Sequence, residues 1–390
     1  MSITGVREQL EAIIANRDVA GIRIKSEFES GGLTVMPPAG QLDKAGPDKS
    51  LGLFSTSDGK LAVVIDTVAS QANRMEAAIK AIAGAIDYPL FVVNGAERVG
   101  HRNTSLDWPH RQADAHWRLL QGQAIVEGHV TEGDVQAVHD ATVWDAEPLL
   151  RWFPASVLFG WWHSVPKELK GKDKPTGDAK AILDVILDSR ARNGANTATT
   201  RSARVITSEV IAHGVSFAPR LSTRIDPFGA LPGGTKTKDG VEGKKSAYSQ
   251  GGLGTIPPSK SNPAVTFESI QGATFIGFSH LRHFAFGEHT TEGQVLTLAL
   301  ALLAVTETRY DLHLRSGADL ILVGEPACTL EQGSGPAPFE LPSREDLIAL
   351  VRHSGTTTFG WKGALPLAAP EMYLKIAATS VAHQADSGDE

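Results

Sequence analysis

Cysteine is almost missing from this 390-residue chain: Cys328 stands alone, so an intrachain disulfide and a thiolate zinc cluster are both excluded. A single thiol between Ala327 and Thr329 fits packing in a reducing cytoplasm better than it fits nucleophilic chemistry. Long hydrophobic runs are lacking too. The longest, Val295 to Val305, is interrupted by Thr297 and falls short of the roughly 20 residues that span a bilayer, so it is expected as a buried helix. No N-terminal segment joins basic residues, an apolar run and a small-residue cleavage site, and neither a signal peptide nor a membrane partner is expected. Positive charge is scarce overall, with a net charge of −7. Taken alone, that disfavours nucleic acid, because phosphate binding rests on neutralisation by Lys and Arg.

Enzyme signatures are equally sparse. Gly243-Lys244-Lys245-Ser246 misses a phosphate loop, because an extra lysine intervenes and the upstream glycine is out of register. Gly251-Gly252-Leu253-Gly254 lacks the third glycine of a dinucleotide fingerprint. Neither a Gly-x-Ser-x-Gly elbow nor a His-Glu-x-x-His pair occurs. These stretches supply no cofactor or metal site, and neither is expected. His110, Asp114 and His116 keep a metal-dependent nuclease acting on RNA or DNA open as the alternative, since such sites can be assembled from scattered residues.

What is present is a real core, at 42% hydrophobic content, and an uneven charge distribution. From Arg151 to Lys260 there are 17 Lys and Arg against 9 Asp and Glu, a net of +8, so the remainder carries −15. That asymmetry predicts one basic surface on an acidic body, although solvated basic loops would give the same count. Helical spacing marks Gly5 to Ala15 and a helix from Ser70, with Ala72, Met75, Ile79, Ile82 and Ile86 on one face. Strand-like runs flank it at Ile22 to Phe28, Leu61 to Asp66 and Leu90 to Asn94. A second strand, helix, strand unit follows at Ala273 to Ser279, Thr291 to Thr308 and Ala318 to Val323. Between the two units lie long polar stretches and a strand-like run, Ala203 to Phe217. Two such units predict an α/β (α+β) fold, an open-faced sandwich of ferredoxin type with large insertions. Glu331 to Ser343 reads as a linker and His383 to Glu390 as a frayed acidic tail.

Five phrases carry a family resemblance: Ile65 to Glu76 (IDTVASQANRME), Pro109 to Ala115 (PHRQADA), Phe153 to Gly160 (FPASVLFG), Arg204 to Val210 (RVITSEV) and Gly252 to Ser259 (GLGTIPPS). In this order they resemble the type I-G (I-U) CRISPR-associated RAMP proteins, the Cas-seven-like backbone subunits of Cascade. The resemblance implies an RRM-like ferredoxin-type palm over residues 1–330, with finger and thumb insertions at about 95–200 and 217–262 and a C-terminal extension over 331–390. It further implies a repeating, non-catalytic, cytoplasmic subunit that binds guide crRNA, pairs it with target DNA and stacks with copies of itself in a helical filament. Cas5-like, Cas6-like and large subunits and a recruited helicase-nuclease would be its other partners.

Under that resemblance, Gln71, Asn73 and Arg74 at the helix start are expected to hold a guide phosphate, with helix capping and an ion pair to Glu76 as the other reading. His110 and Arg111 after Pro109 present a cation to phosphate or pair with Asp114. Arg204 and Ser208, four apart in a strand, should share one face. Lys236, Lys238, Lys244 and Lys245 among glycines suit sequence-independent backbone contact, and Gly252 and Gly254 before Pro257-Pro258 would bring amides near phosphate. Among Trp152, Phe153, Phe159, Trp161 and Trp162 most are expected in the core. The consensus RRM aromatic motif is not evident, Gln271 to Phe275 being a remnant at best, so the sheet is not expected to stack bases in the usual manner.

Overall fold

Along residues 19–30, Ile22, Ile24 and Phe28 are buried while Lys25, Glu27 and Glu29 are exposed, the period of two that sinks one side of a strand into a core. The computed structural model describes residues 2–43, 47–50, 52–95, 104–162, 201–218, 221–224, 256–260, 264–309, 312–371 and 373–375. In chain order its strands are β1 (Val19–Ser30), β2 (Leu53–Ser55), β3 (Leu61–Asp66), β4 (Leu90–Asn94), β5 (Trp161–Trp162), β6 (Arg201–Ser202), β7 (Ile206–His213), β8 (Ser216–Ala218), β9 (Leu221–Arg224), β10 (Ile256–Lys260), β11 (Ala264–Thr266), β12 (Ser269–Gly277), β13 (Leu312–Arg315), β14 (Ala318–Gln332), β15 (Ala337–Pro338) and β16 (Ala364–Ala368). Its α-helices are α1 (Ile3–Ala15), α2 (Val68–Ile82), α3 (Ala115–Val126), α4 (Glu132–Asp140), α5 (Glu147–Trp152), α6 (Pro154–Phe159), α7 (Phe278–Leu281), α8 (Thr290–Thr308) and α9 (Arg344–Thr357).

The main sheet runs β13-β14-β1-β12-β7-β3-β2, with β15 added to β14, and every pair is antiparallel. This is a mixed α/β fold. Its two long internal helices lie between strands of the sheet in sequence, α2 between β1 and β7 and α8 between β12 and β14. Even-numbered residues of β1, β7 and β12 form the buried face: Ile22, Ile24, Ile206 and Ile276 join Ala72, Met75 and Ile79 of α2 and the apolar surface of α8 in one core. A second cluster, around Phe28, Val210 and Ile270, continues at the other end of the same strands.

Local signals explain the helices. Helix α2 starts at Val68, ahead of the expected Ser70, because Thr67 caps it: the Thr67 Oγ1 accepts the Ser70 amide at 3.2 Å. The apolar run of α8 is buried on nearly every side, from Val295 to Val305, as expected of a helix without a polar face. Among the described residues no helix is long and apolar enough to cross a membrane.

The largest departure from expectation concerns β4. It does not close the first strand, helix, strand unit; β7 does, and β4 instead pairs in parallel with β16, Leu90 opposite Ala364. The reason is burial on both sides. Leu90, Phe91 and Val93 and their partners Leu365 and Leu367 are all core residues, and a doubly buried run carries no alternation to assign it to a particular sheet. The segment read as a linker continues β14 to Gln332, adds β15 and buries Phe339. Beyond it, α9 packs its Leu347, Leu350 and Val351 into the main core.

Candidate nucleic-acid interface

Gly160 shapes one wall of the candidate site. It ends α6 at φ 76°, and a Cβ there would lie 2.5 Å from the Ser202 carbonyl oxygen, so only glycine lets the chain turn into β5 beside β6. The register puts Trp161 opposite Ser202 and Trp162 opposite Arg201. Phe159 and Trp161 are buried, whereas Trp162 is 66% exposed.

The opposite wall is the turn after Pro109. Arg111 adopts φ 55°, a left-handed conformation that costs a side-chain-bearing residue about 1–2 kcal/mol. Its guanidinium holds it there. Nε and Nη2 donate to the two carboxylate oxygens of Glu76 at 2.7 and 3.1 Å, and Nη1 donates to the Gly160 carbonyl at 3.1 Å. The same group lies 5.3 Å from the centroid of the Phe159 ring. Burial pushes the Glu76 carboxyl up, against the pull of Arg111. Arg111 therefore ties α2, its own turn and the α6–β5 corner together.

Between these walls lies a cleft of about 500 Å3, lined by His110, Arg111, Trp161, Trp162, Arg204 and Thr207 among others. His110 and Arg204 are exposed at it. A cation, an imidazole and an exposed indole around one concavity can hold a phosphate and a planar base.

The structure thus brings His110, Arg111 and Arg204 together and sends other expected contacts elsewhere. Gln71 and Ser208 are buried. Gln71 Nε2 donates to Asp66 Oδ2 at 2.6 Å, and Ser208 Oγ donates to Gln71 Oε1 at 3.2 Å and bonds Thr274 Oγ1 at 2.8 Å. Arg74 donates from Nε to the same Asp66 oxygen at 2.9 Å and to the His313 and Leu314 carbonyls at 3.2 and 3.0 Å. Arg315 completes the group, 3.4 Å from Asp66 Oδ1. The polar atoms of Gln71, Arg74 and Ser208 thus have partners within the protein, so this geometry does not favour them as RNA contacts. Arg204 and Ser208 do not share an exposed face either: Arg204 precedes β7, and Ser208 points with Ile206 and Val210 into the core. Asn73 is exposed. Lys236, Lys238, Lys244, Lys245, Gly252 and Gly254 lie outside the described residues. Asp66, wholly buried, was the residue missed; its signal is an aspartate closing an apolar strand directly before a helix cap.

Asp114 is a structural acceptor. It caps α3, taking the His116 amide at 2.9 Å and ring nitrogen at 2.6 Å, and the His110 amide at 3.1 Å. Burial works against its charge, yet these bonds hold the carboxyl below its ordinary value. Among the described residues no group of three His, Cys, Asp or Glu side chains could hold a metal ion.

Residues 29–177 match the model of the CRISPR-associated protein GSU0053 family. That stretch includes Asp66, the α2 helix, the His110 turn and the Gly160 corner, while Arg204 lies beyond it. The crystal structure of Thermofilum pendens Csc2 is similar at 10% identity, over 96% of this chain and 92% of that one, with a TM-score of 0.31. No curated protein matches.

Proposed function

We propose that this chain is a repeating, non-catalytic, guide-RNA-binding backbone subunit of a type I CRISPR Cascade complex. It would support RNA-guided recognition of target DNA in antiviral defence, alongside further copies of itself, Cas5-like, Cas6-like and large subunits and a recruited helicase-nuclease. Three observations support the reading. The similarity to CRISPR-associated proteins covers 29–177. The order β14-β1-β12-β7, with α2 and α8 as the crossing helices, supports reading the sheet as a ferredoxin-type or RRM-like palm. The cleft with Arg204, His110 and Trp162 carries the most weight, since it offers a phosphate contact beside a stacking surface.

The test is binding of the full-length chain to single-stranded guide RNA across a salt series, with size-exclusion chromatography to follow assembly. Affinity that falls linearly with log salt and higher-order species that absorb at 260 nm are expected. A chain that stays monomeric and retains no RNA overturns the reading, and sub-stoichiometric cleavage lost in Asp114→Ala would favour the nuclease instead.

A further inference from the structure

The face of the main sheet turned away from the helices is not uniform. On it Arg23 lies opposite Phe275 on one side and Thr329 on the other, and Lys25 lies opposite Ala273 and Ala327. One row further along stand Glu27 and Glu29, both exposed. Arg23 and Lys25 thus stand toward one end of β1 and the two glutamates toward the other, with Glu209 opposite Ala273 in the Lys25 row and Glu331 paired with Arg23. Phe275 sits at the Arg23 end, with its ring lying across two glycines. A Cβ on Gly21 would meet the ring at 2.7 Å and one on Gly277 would meet it at 3.3 Å, so this bed is shaped by the lack of side chains. Arg23 stands 5.7 Å from the ring centroid, its Nε held 3.0 Å from Glu331. Thr207, Lys25 and Ala273 around the ring are exposed.

Thr207 links this surface to the cleft, because it is the cross-strand partner of Phe275 and also lines the cleft beside Arg204. A strand whose phosphate is held at Arg204 would pass over Thr207 directly onto Phe275. We infer that Phe275, with Arg23 and Lys25, is a stacking platform for one unpaired RNA base, continuous with the cleft. This rests on the RNA-binding reading above. A ring backed by glycine, with the Arg23 guanidinium over it and Lys25 in the next row, offers a base a joint aromatic and guanidinium surface and its phosphate a cation, whereas Glu27 and Glu29 repel a strand from the other half of the face. Packing of an aromatic over sheet glycines would give the same bed but makes no demand for the exposed Lys25 or for continuity with Arg204.

The experiment uses the full-length chain, Phe275→Leu, Phe275→Tyr and Ala273→Glu, each checked by thermal unfolding. Ala273 is exposed, so its substitution fills the space beside the ring without disturbing the glycine bed. Single-stranded RNA should bind Phe275→Leu and Ala273→Glu about 5- to 150-fold more weakly, the range for one base on one ring, and Phe275→Tyr unchanged. On an abasic strand of equal length the wild type and Phe275→Leu should bind alike. Equal affinity of wild type and both disruptive variants for base-containing RNA overturns the platform while leaving the cleft reading intact. A wild-type chain that binds no RNA overturns the cleft reading and the platform with it.

Discussion

Arg111→Ala separates an anchoring role from a ligand contact. The Glu76 carboxylate is 4% exposed, and its two oxygens face the two donors that the substitution removes. Stripping one member from a buried, bidentate pair leaves an uncompensated charge and costs about 3–5 kcal/mol. The backbone adds a second, independent signature. At φ 55° alanine retains the left-handed penalty and glycine does not, so Arg111→Gly should be about 1 kcal/mol more stable than Arg111→Ala although it has lost the same side chain. Combining Arg111→Met with Glu76→Gln should recover more than about 1 kcal/mol of the single-mutant loss, because the stranded charge is gone. Urea unfolding followed by tryptophan fluorescence reads all of these as midpoint shifts. A loss below about 1 kcal/mol for Arg111→Ala, with RNA binding abolished, would refute the anchoring argument and make Arg111 a contact to the ligand.

Asp66→Ala should cost about 2–4 kcal/mol, since Gln71, Arg74 and Arg315 all lose their acceptor, and it should leave the RNA salt dependence unchanged; a neutral effect on unfolding would sink the idea of a central hub. His139 bonds Gln121, and burial, aided by Arg118, lowers its value from 6.5 to about 4. The unfolded chain therefore takes up a proton below pH 6.5 that the folded chain refuses, so this stability is complete above 6.5 and lost as the pH falls toward 4. His139→Gln should flatten that limb by at most about 3 kcal/mol, and melts at pH 7.5 and 5 that shift identically in both proteins would contradict it. Arg204→Glu should weaken binding evenly across RNA sequences and reduce the salt slope by about 0.7 for each phosphate no longer neutralised, whereas an effect confined to one sequence would make Arg204 a base reader.

The legible parts of the fold were those with a one-sided pattern. Ala72, Met75 and Ile79 at helical spacing fixed α2 and its buried face, and the apolar run from Val295 marked α8. β4 was legible as a strand but not as to partner, because its neighbour β16 lies far along the chain and both its faces are buried. The polar residues were harder. Gln71 and Ser208 carry side chains that look like surface in a sequence, and only the tertiary position of Asp66 turns them inward. Arg111 and Arg204 looked alike as cations. The difference between them is Glu76, which occupies what looked like the solvent side of α2 and is in fact buried against the His110 turn.

If this acidic chain binds RNA as proposed, its field must be arranged locally, and the described residues carry a local change of sign. On the open sheet face the change of sign occurs within a single strand, from Arg23 and Lys25 to Glu27 and Glu29, over two residues of β1. The distance between Lys25 and Glu27 is about 7 Å at strand rise, less than a Debye length at physiological salt, so the two halves are not screened from each other. On the proposed reading, a phosphate chain entering at Arg204 would meet Arg23 along the row of Thr207 and Phe275, a mixed row of Glu209 and Lys25 next, and Glu27 two rows beyond. Net charge would then chiefly keep the chain from binding nucleic acid elsewhere, while the path itself would be set by the few side chains that border the cleft. Under the proposed function, the −15 carried outside residues 151–260 would be part of the recognition, because it would confine a sequence-independent interaction to one track.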